Sequence, residues 1–276
     1  MKWWCGAVRL DDVRGFVFDV DGTLVHRAGE TAHVAPGARE VLERILDSGR
    51  SFVLFTNGSH VPPEGFASGL RDVGLPVEDD QMLTPLRSVL YYLSRGHTDA
   101  QVRLFGTASV KEYMARQGVH LVEGAAAESA DVVFVAHVDE VSLEELEHAA
   151  RAVLAGAKLL TGSYVPAYAG ANGPILSRGA MVTAAIAKAS SVRPTIVGKP
   201  SKAAVAVIDE RLGLPGSDIA VIGDDVGMDI ALGHMGGSRT VLVRSGIDGE
   251  IDLDRVPERQ RPHAVVGSVA EVLELL

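Results

Sequence analysis

The sequence has little cysteine, few basic residues and no long apolar run, and each absence excludes a class of function. Cys5 is the single cysteine among 276 residues, so neither an internal disulfide nor a cysteine-based zinc site is expected. Lys and Arg number 26 against 36 Asp and Glu, a balance that argues against broad binding of nucleic acid or anionic membranes. Because no apolar run is long enough for a membrane span or a secretory signal, the cytoplasm is the default location.

What the chain does contain is an alternation of short β-branched runs with longer helical patterns. This alternation predicts βαβ units around a mainly parallel sheet. The length allows two modest domains, each with its own core. We predict an α/β fold in which residues 1–83 and 177–276 form a doubly wound, Rossmann-like core and residues 84–176 form a smaller, inserted α/β domain.

Four short polar stretches each follow a predicted strand. They are VDGTL at 20–24, TNGS at 56–59, GKPS at 198–201 and GDDVGMD at 223–229. In an open parallel sheet, ligands bind at the carboxyl ends of the strands, so these stretches are expected to meet. The functional groups gathered in this way belong to Asp19, Asp21, Asp224, Asp225, Asp229, Thr56, Asn57, Gly58 and Lys199.

Several carboxylates in one crevice repel each other, and some would take up protons unless a hard cation neutralised them. A set of oxygen ligands without His or Cys selects Mg²⁺. Asp19 and Asp21 are compatible if one faces the cation and the other is angled away, and Gly22 and Thr23 allow the chain to turn between them.

In their order and strand context, the four stretches resemble the motifs of the haloacid dehalogenase-like (HAD) phosphohydrolases. Those motifs are Asp-x-Asp-Gly-Thr, a Ser or Thr that ends the second strand, a Lys, and a Gly-Asp pair with a further Asp. DVDGTL, PGAREVL, TNGS, VGKPS and GDDVGMDI are most similar to the NagD-like and p-nitrophenyl phosphatases of that superfamily. The long insertion falls between the second and third motifs, as in members with a C2-type cap.

The resemblance implies roles for the acidic residues. Asp19 would be the nucleophile that forms an aspartyl-phosphate, and Asp21 would act as general acid and then general base. Asp19, the main-chain carbonyl of Asp21 and the carboxylate of Asp224 would bind Mg²⁺, and Asp229 would orient these ligands. Asp225 receives no role from the resemblance.

The resemblance also implies how the phosphoryl group is held. Thr56 and the amides of Asn57 and Gly58 would bind the transferring phosphoryl oxygens. Lys199 would offset negative charge on the nucleophile and the phosphoryl group.

Specificity is expected to lie in the inserted domain, since a cap excludes water and contacts the leaving group. NagD-type relatives usually read Thr-Asn-Pro-Asp where this chain has Thr-Gly-Ser-Tyr at 161–164, and Pro-Gly-x-Gly where it has Leu-Ser-Arg-Gly at 176–179. Ser163, Tyr164 and Arg178 are therefore candidate specificity residues.

The predicted function is a Mg²⁺-dependent phosphomonoester hydrolase of a small phosphorylated metabolite such as a sugar phosphate, polyol phosphate or nucleotide. A phosphotransferase or mutase of the same superfamily is one alternative, and a non-enzymatic phospho-acceptor or binding protein is another. The presence of Asp21 argues against a non-enzymatic phospho-acceptor, because a lasting acyl-phosphate needs no acid/base group two residues from the nucleophile. No nucleic-acid or membrane partner is expected, and a homodimer fits the resemblance.

Overall fold

The computed structural model describes residues 9–28, 31–168 and 175–276. Cys5 and part of the loop that contains the candidate specificity residues, 169–174, lie outside the described residues. Among the described residues, no helix is both long enough and apolar enough to cross a membrane.

The secondary structure alternates between strands and helices along the chain. The strands are β1 (Gly15–Phe18), β2 (Val25–Ala28), β3 (Thr31–Val34), β4 (Ser51–Phe55), β5 (Met82–Leu83), β6 (Gln101–Phe105), β7 (His120–Leu121), β8 (Val132–Val135), β9 (Lys158–Thr161), β10 (Ala167–Tyr168), β11 (Ile175–Leu176), β12 (Thr195–Ile196), β13 (Ile219–Gly223), β14 (Arg239–Val243) and β15 (Ala264–Val266). The α-helices are α1 (Ala38–Asp47), α2 (Pro63–Asp72), α3 (Pro85–Ser94), α4 (Ala108–Arg116), α5 (Leu143–Leu154), α6 (Arg178–Ser190), α7 (Lys202–Leu212) and α8 (Ala231–Gly236).

The chain forms two compact units. The first comprises described residues of 1–56, 67–82 and 208–276, and the second comprises 57–66 and 83–207. The second unit extends past the expected boundary at residue 176 because β12 pairs in parallel with β9, with Thr195 opposite Leu160.

The first unit is built on a six-stranded sheet in the order β15-β14-β13-β1-β4-β5. Neighbouring strands from β15 to β4 are parallel, and Phe16 of β1 lies opposite Ala220 of β13 and Phe52 of β4. All four residues of β1 are buried, as expected for an apolar strand in the middle of a parallel sheet. The predicted α/β architecture with parallel sheets is confirmed.

Helix α1 shows how the sequence pattern produces one of the packed helices. Val41, Leu42 and Ile45 are spaced to share one face, and all three are buried. The helix ends at Asp47, with Ser48 as its C-cap, and is followed by Gly49 at φ 72°, the left-handed conformation that glycine adopts without a steric penalty.

The second unit contains a five-stranded sheet in the order β12-β9-β8-β6-β7, and its pairs are parallel. The apolar run of β8 is buried along its whole length. Helix α5 begins with a capping box, in which Ser142 and Glu145 each accept a hydrogen bond from the other's backbone N–H.

Three local features differ from the sequence patterns. Helix α3 was not predicted, although Thr84 at its N-cap and Pro85 at its first position are typical start signals. The antiparallel pair β2–β3 was also missed. The pattern of the closing segment VAEVLELL at 269–276 predicts an α-helix, but the structure has a 3₁₀ helix over Val269–Glu274, a geometry that short runs often adopt.

Candidate active site

The carboxyl ends of three adjacent strands carry three of the predicted site residues. Asp19 follows β1, Thr56 follows β4 and Asp224 follows β13, and the register of these strands is continuous across the sheet. The backbone N–H of Asp19 donates to the carbonyl oxygen of Ile222 at 2.9 Å, which extends the pairing of β1 and β13 up to the site. The sheet therefore brings these three residues to one edge.

Three carboxylates form a compact cluster at this edge. One oxygen each of Asp19, Asp224 and Asp229 lies within 4.8 Å of the others. Asp224 is 6% exposed and Asp229 is 2% exposed, so these groups have little water around them to screen their repulsion. An all-oxygen set of this kind fits a hard divalent cation, which would offset the three charges.

Asp21 is placed differently from Asp19, although only two residues separate them. Its side chain is exposed, whereas that of Asp19 is partly buried. The change of direction depends on Gly22, whose φ is 94° and whose N–H donates to the carbonyl oxygen of Val25 at 2.8 Å. A β-carbon at Gly22 would lie 2.3 Å from Oδ2 of Asp224, so a larger residue would disturb both segments.

Asp229 lies inside the cluster. Its Oδ2 accepts a hydrogen bond from the backbone N–H of Asp225 at 3.2 Å. A β-carbon at Gly223 would lie 2.2 Å from Cγ of Asp229, so glycine at this position makes room for the carboxylate. The orienting role inferred for Asp229 stays a prediction, and its position also suits a direct ligand.

The structure assigns a local role to Asp225. Its Oδ1 accepts from the backbone N–H of Met228 at 2.9 Å, so it caps the π-helical turn Val226–Ile230 that carries Asp229. Burial raises the pKa of Asp225, and the nearby charge of Asp229 raises this pKa further.

In the second unit, Asn57 joins the second and third motifs through its side chain. Its Nδ2 donates to the carbonyl oxygen of Lys199 at 2.9 Å, and its Oδ1 accepts from the backbone N–H of Lys199 at 2.7 Å. A β-carbon at Gly198 would lie 2.5 Å from Oδ1 of Asn57. The sequence motif indicates a role only for the main-chain amide of Asn57 and carries no signal for this side-chain bridge.

The other residues of these two motifs are placed as follows. Lys199 is 4% exposed in the second unit, and Thr56 is 5% exposed in the first unit. Gly58 is partly buried. The chain passes from the first unit to the second at the Thr56–Asn57 peptide bond.

A polar cluster lies in the second unit after strand β8, and we call it the histidine–arginine cluster; it consists of His60, His137, Asp139 and Arg178. The rings of His60 and His137 are 5.8 Å apart between centroids. Oδ1 of Asp139 lies 3.3 Å from Nε2 of His137 and accepts from Nη1 of Arg178 at 2.9 Å. Of the four residues, only Arg178 is a candidate from the sequence. His60, His137 and Asp139 carry no signal, because isolated residues have no characteristic spacing.

The remaining two specificity candidates lie on the segment after β9. Tyr164 is 39% exposed, and the carbonyl oxygen of Ser163 accepts from Oγ1 of Thr161 at 2.9 Å. Neither residue belongs to the histidine–arginine cluster as defined above. Their role in specificity stays a prediction.

Comparison with known proteins gives two family matches. Residues 16–120 match the model described as haloacid dehalogenase-like hydrolase, and residues 196–272 match a HAD-hydrolase-like model. Together, the two matches include the candidate site residues of all four motifs.

Relatives and solved structures cover nearly the whole chain. It is 25% identical to dihydroxyacetone phosphatase of Corynebacterium glutamicum, over 94% of this chain and 90% of that protein. It is 27% identical to the ribonucleotide monophosphatase NagD of Escherichia coli, over 94% of this chain and 98% of that protein. The structure of a p-nitrophenyl phosphatase from Archaeoglobus fulgidus is similar with a TM-score of 0.85 and 26% identity, covering 96% of this chain and 100% of the other.

Proposed function

We propose, from the premise that this chain belongs to the haloacid dehalogenase-like hydrolases and to their NagD-like subfamily, that it is a Mg²⁺-dependent phosphatase of small phosphorylated metabolites. The observation that carries the proposal is the buried cluster of Asp19, Asp224 and Asp229 at the carboxyl edge of the first sheet. Such a cluster is stable when a hard cation offsets its charge, and phosphoryl transfer requires that kind of charge compensation.

In the first step, a carboxylate oxygen of Asp19 attacks phosphorus in line with the leaving oxygen. The bond from Asp19 to phosphorus forms while the bond from phosphorus to the substrate oxygen breaks. The leaving alkoxide takes a proton from the carboxyl group of Asp21, whose side chain is exposed.

In the second step, Asp21 takes a proton from a water molecule as that water attacks the phosphorus of the aspartyl-phosphate. The bond between Asp19 and phosphorus breaks, inorganic phosphate leaves and the carboxylate of Asp19 is restored. Asp21 thus ends the cycle with the proton that it needs for the next leaving group.

We assign the remaining motif residues to charge compensation and positioning. Asp19, the main-chain carbonyl of Asp21, and Asp224 hold Mg²⁺, which when bound offsets the negative charge of the phosphoryl group. Thr56 and the main-chain amides of the next two residues, 57 and 58, bind phosphoryl oxygens. Lys199 supplies a positive charge, and the amide bridge from Asn57 keeps its backbone in place.

For the substrate class, the named relatives support a small metabolite. They include a dihydroxyacetone phosphatase and a ribonucleotide monophosphatase, which differ in the group that carries the phosphate. We propose a sugar phosphate, polyol phosphate or nucleotide. The histidine–arginine cluster carries hydrogen-bond donors and acceptors in the second unit, and we propose that it contributes to substrate selectivity.

The experiment is a screen of phosphorylated metabolites for phosphate release in the presence and absence of Mg²⁺. Asp19→Asn and Asp21→Asn are run beside the wild type, with Asp47→Asn as the matched control because Asp47 is exposed on α1. The proposal predicts Mg²⁺-dependent release that both site variants lose and the control keeps. Wild-type turnover in both site variants would refute the mechanism, and transfer of phosphate to an added alcohol in place of water would favour a phosphotransferase.

A further inference from the structure

The loop that follows β14, residues 244–249, contacts the cation site from a part of the chain that belongs to none of the four motifs. β14 is the neighbour of β13 in the sheet, so its loop emerges beside Asp224. We call residues 244–249 the anchor loop. Residues 244–249 belong to the first unit.

The anchor loop holds the carboxylate of Asp224 directly. The backbone N–H of Ile247 donates to Oδ2 of Asp224 at 2.7 Å. A β-carbon at Gly246 would lie 1.8 Å from the same oxygen, and one at Gly22 would lie 2.3 Å from it. The carboxylate therefore fits closely between two glycines and an N–H donor, which restricts its rotation.

The loop also fixes the main chain around Asp224 through Asp248. The backbone N–H of Asp248 donates to the carbonyl oxygen of Asp224 at 3.1 Å. The Oδ2 atom of Asp248 accepts from the backbone N–H of Val226 at 2.7 Å. Asp248 thus binds the backbone both at Asp224 and at Val226.

A third contact reaches the first motif. Oγ of Ser245 donates to the carbonyl oxygen of Gly22 at 2.9 Å. The N–H of Gly22 donates to the carbonyl oxygen of Val25 at 2.8 Å, so Gly22 is hydrogen-bonded on both sides. In a trans peptide the carbonyl of Asp21 points opposite to the N–H of Gly22, so the bond from this N–H to Val25 sets the direction of the Asp21 carbonyl. Ser245 holds the next peptide plane, between Gly22 and Thr23, and so limits the rotation at Gly22 that would turn the Asp21 carbonyl.

We propose that the anchor loop positions the cation site, with Ser245 orienting the main-chain carbonyl of Asp21 and with Gly246 and Asp248 orienting Asp224. The inference rests on the proposed function, which makes these two groups cation ligands. Ser245, Gly246 and Asp248 are positioning residues, because they act through the ligands. Outer partners of metal ligands usually change metal affinity about 10- to 100-fold when they are removed.

The test measures metal binding in the absence of substrate. Binding of Mn²⁺ is followed through the loss of the free-ion signal in electron paramagnetic resonance, with Mg²⁺ as competitor. Ser245→Ala and Asp248→Ala are each expected to weaken binding about 10-fold. Gly246→Ala is expected to weaken binding more, and its thermal unfolding shows whether it still folds.

Matched variants separate positioning from general effects. Glu250→Ala removes an equally negative side chain just past the loop, from an exposed position, and should leave the dissociation constant unchanged. Ser245→Thr and Asp248→Asn keep a hydroxyl donor and an acceptor oxygen, and should restore most of the affinity.

The outcomes distinguish this inference from the proposed function. If Ser245→Ala and Asp248→Ala bind Mn²⁺ as wild type does, or if Glu250→Ala loses as much affinity as Asp248→Ala, the positioning role is wrong while the proposed function stands. If wild type binds neither ion and releases no phosphate, the proposed function fails and the positioning role fails with it.

Discussion

Both units of this chain contain a parallel sheet, but the carboxyl ends of their strands carry different chemistry. In the first unit the strand ends gather buried carboxylates, and main-chain N–H groups hold them. In the second unit β8 leads into a partly exposed cluster that mixes histidines with an Asp and an Arg, and β12 leads into one buried lysine.

This difference indicates that the residue types at the carboxyl ends of the strands are more restricted in the first unit than in the second. In the proposed mechanism a cation and a phosphoryl group require fixed oxygen ligands, which would account for the residue types in the first unit. A leaving group varies from substrate to substrate, and partly exposed side chains at strand ends can change without loss of the fold. We therefore expect substitutions in the histidine–arginine cluster to alter substrate selectivity, and substitutions of motif residues to alter turnover of all substrates.

Lys199 is an exception to this contrast between the units, because it is a motif residue that lies in the second unit. Lys199→Ala should lower kcat about 100- to 1,000-fold for every substrate, since it removes a preorganised positive charge. Lys202→Ala is the matched control, because Lys202 is exposed on the following helix. Steady-state kinetics with two unrelated phosphate esters provide the check, and a loss confined to one ester would place Lys199 among the selectivity residues.

Arg178 tests whether a residue of the histidine–arginine cluster affects some substrates more than others. On the proposed role of the cluster in selectivity, Arg178→Ala should raise KM about 10-fold for sugar or polyol phosphates, because it removes a hydrogen-bond donor that substrate hydroxyl groups can use. For p-nitrophenyl phosphate, which lacks hydroxyl groups, kcat/KM should change less than about threefold. Arg193→Ala, at another exposed position of the second unit, serves as the control. Equal losses on both substrate types would remove Arg178 from the selectivity set.

Tyr113, in the second unit, is expected to lower the free energy of unfolding at alkaline pH. Burial raises its pKa to about 12, and among the described residues its hydroxyl has no hydrogen-bond partner. The unfolded chain ionises from about pH 10 while the folded chain keeps the proton, so folding stability falls as pH rises from about 10 to 12. Tyr113→Phe should remove this loss and add about 1 kcal/mol at neutral pH.

Chemical denaturation across that pH range measures the effect of Tyr113→Phe. Tyr168→Phe, at an exposed position, is the control and should keep the wild-type alkaline slope. A Tyr113→Phe variant with the same alkaline slope as wild type would show that Tyr113 does not cause the loss.

His263 gives the smallest expected effect, on the acid side of the first unit. Burial lowers its pKa, and the charges of His234 and Arg239 lower it further. The neutral ring accepts from Oγ1 of Thr240 at 2.7 Å when the hydroxyl donates. Stability from this group is present above about pH 6.5 and is lost as pH falls toward the lowered pKa.

His263→Gln should reduce the loss of folding free energy between about pH 7 and 5 by less than about 0.5 kcal/mol, because the ring is only partly buried and water screens its charge. Denaturation curves between about pH 5 and 7 provide the measurement. His120→Gln, in the second unit, should leave the slope unchanged. A steeper acid slope in His263→Gln would contradict the assignment.

The fold class and the motif positions could be predicted because both depend on short-range patterns. The apolar run of β1 and the helical spacing of Val41, Leu42 and Ile45 are local signals. The motif residues follow strands directly, so strand positions alone place Asp19 and Asp224 at one sheet edge.

What the sequence could not predict depends on contacts across the chain. The boundary of the second unit requires the pairing of β12 with β9, which no local pattern specifies. The hydrogen bonds of Ser245 and Asp248 join segments more than 20 residues apart, so no local pattern indicates them. From its sequence alone, the anchor loop has the composition of an ordinary turn. No role for Asp225 follows from the sequence, and the turn geometry shows that it caps the turn Val226–Ile230.

The central claim is that Asp19 carries the phosphoryl group during turnover. The most direct measurement is to acid-quench the enzyme during turnover of a good substrate and to locate phosphate on its peptides by mass spectrometry. We predict a hydroxylamine-sensitive phosphoryl group on the peptide that contains Asp19, and none in Asp19→Asn. Turnover without a phosphorylated peptide, or with the phosphate on another residue, would contradict the mechanism.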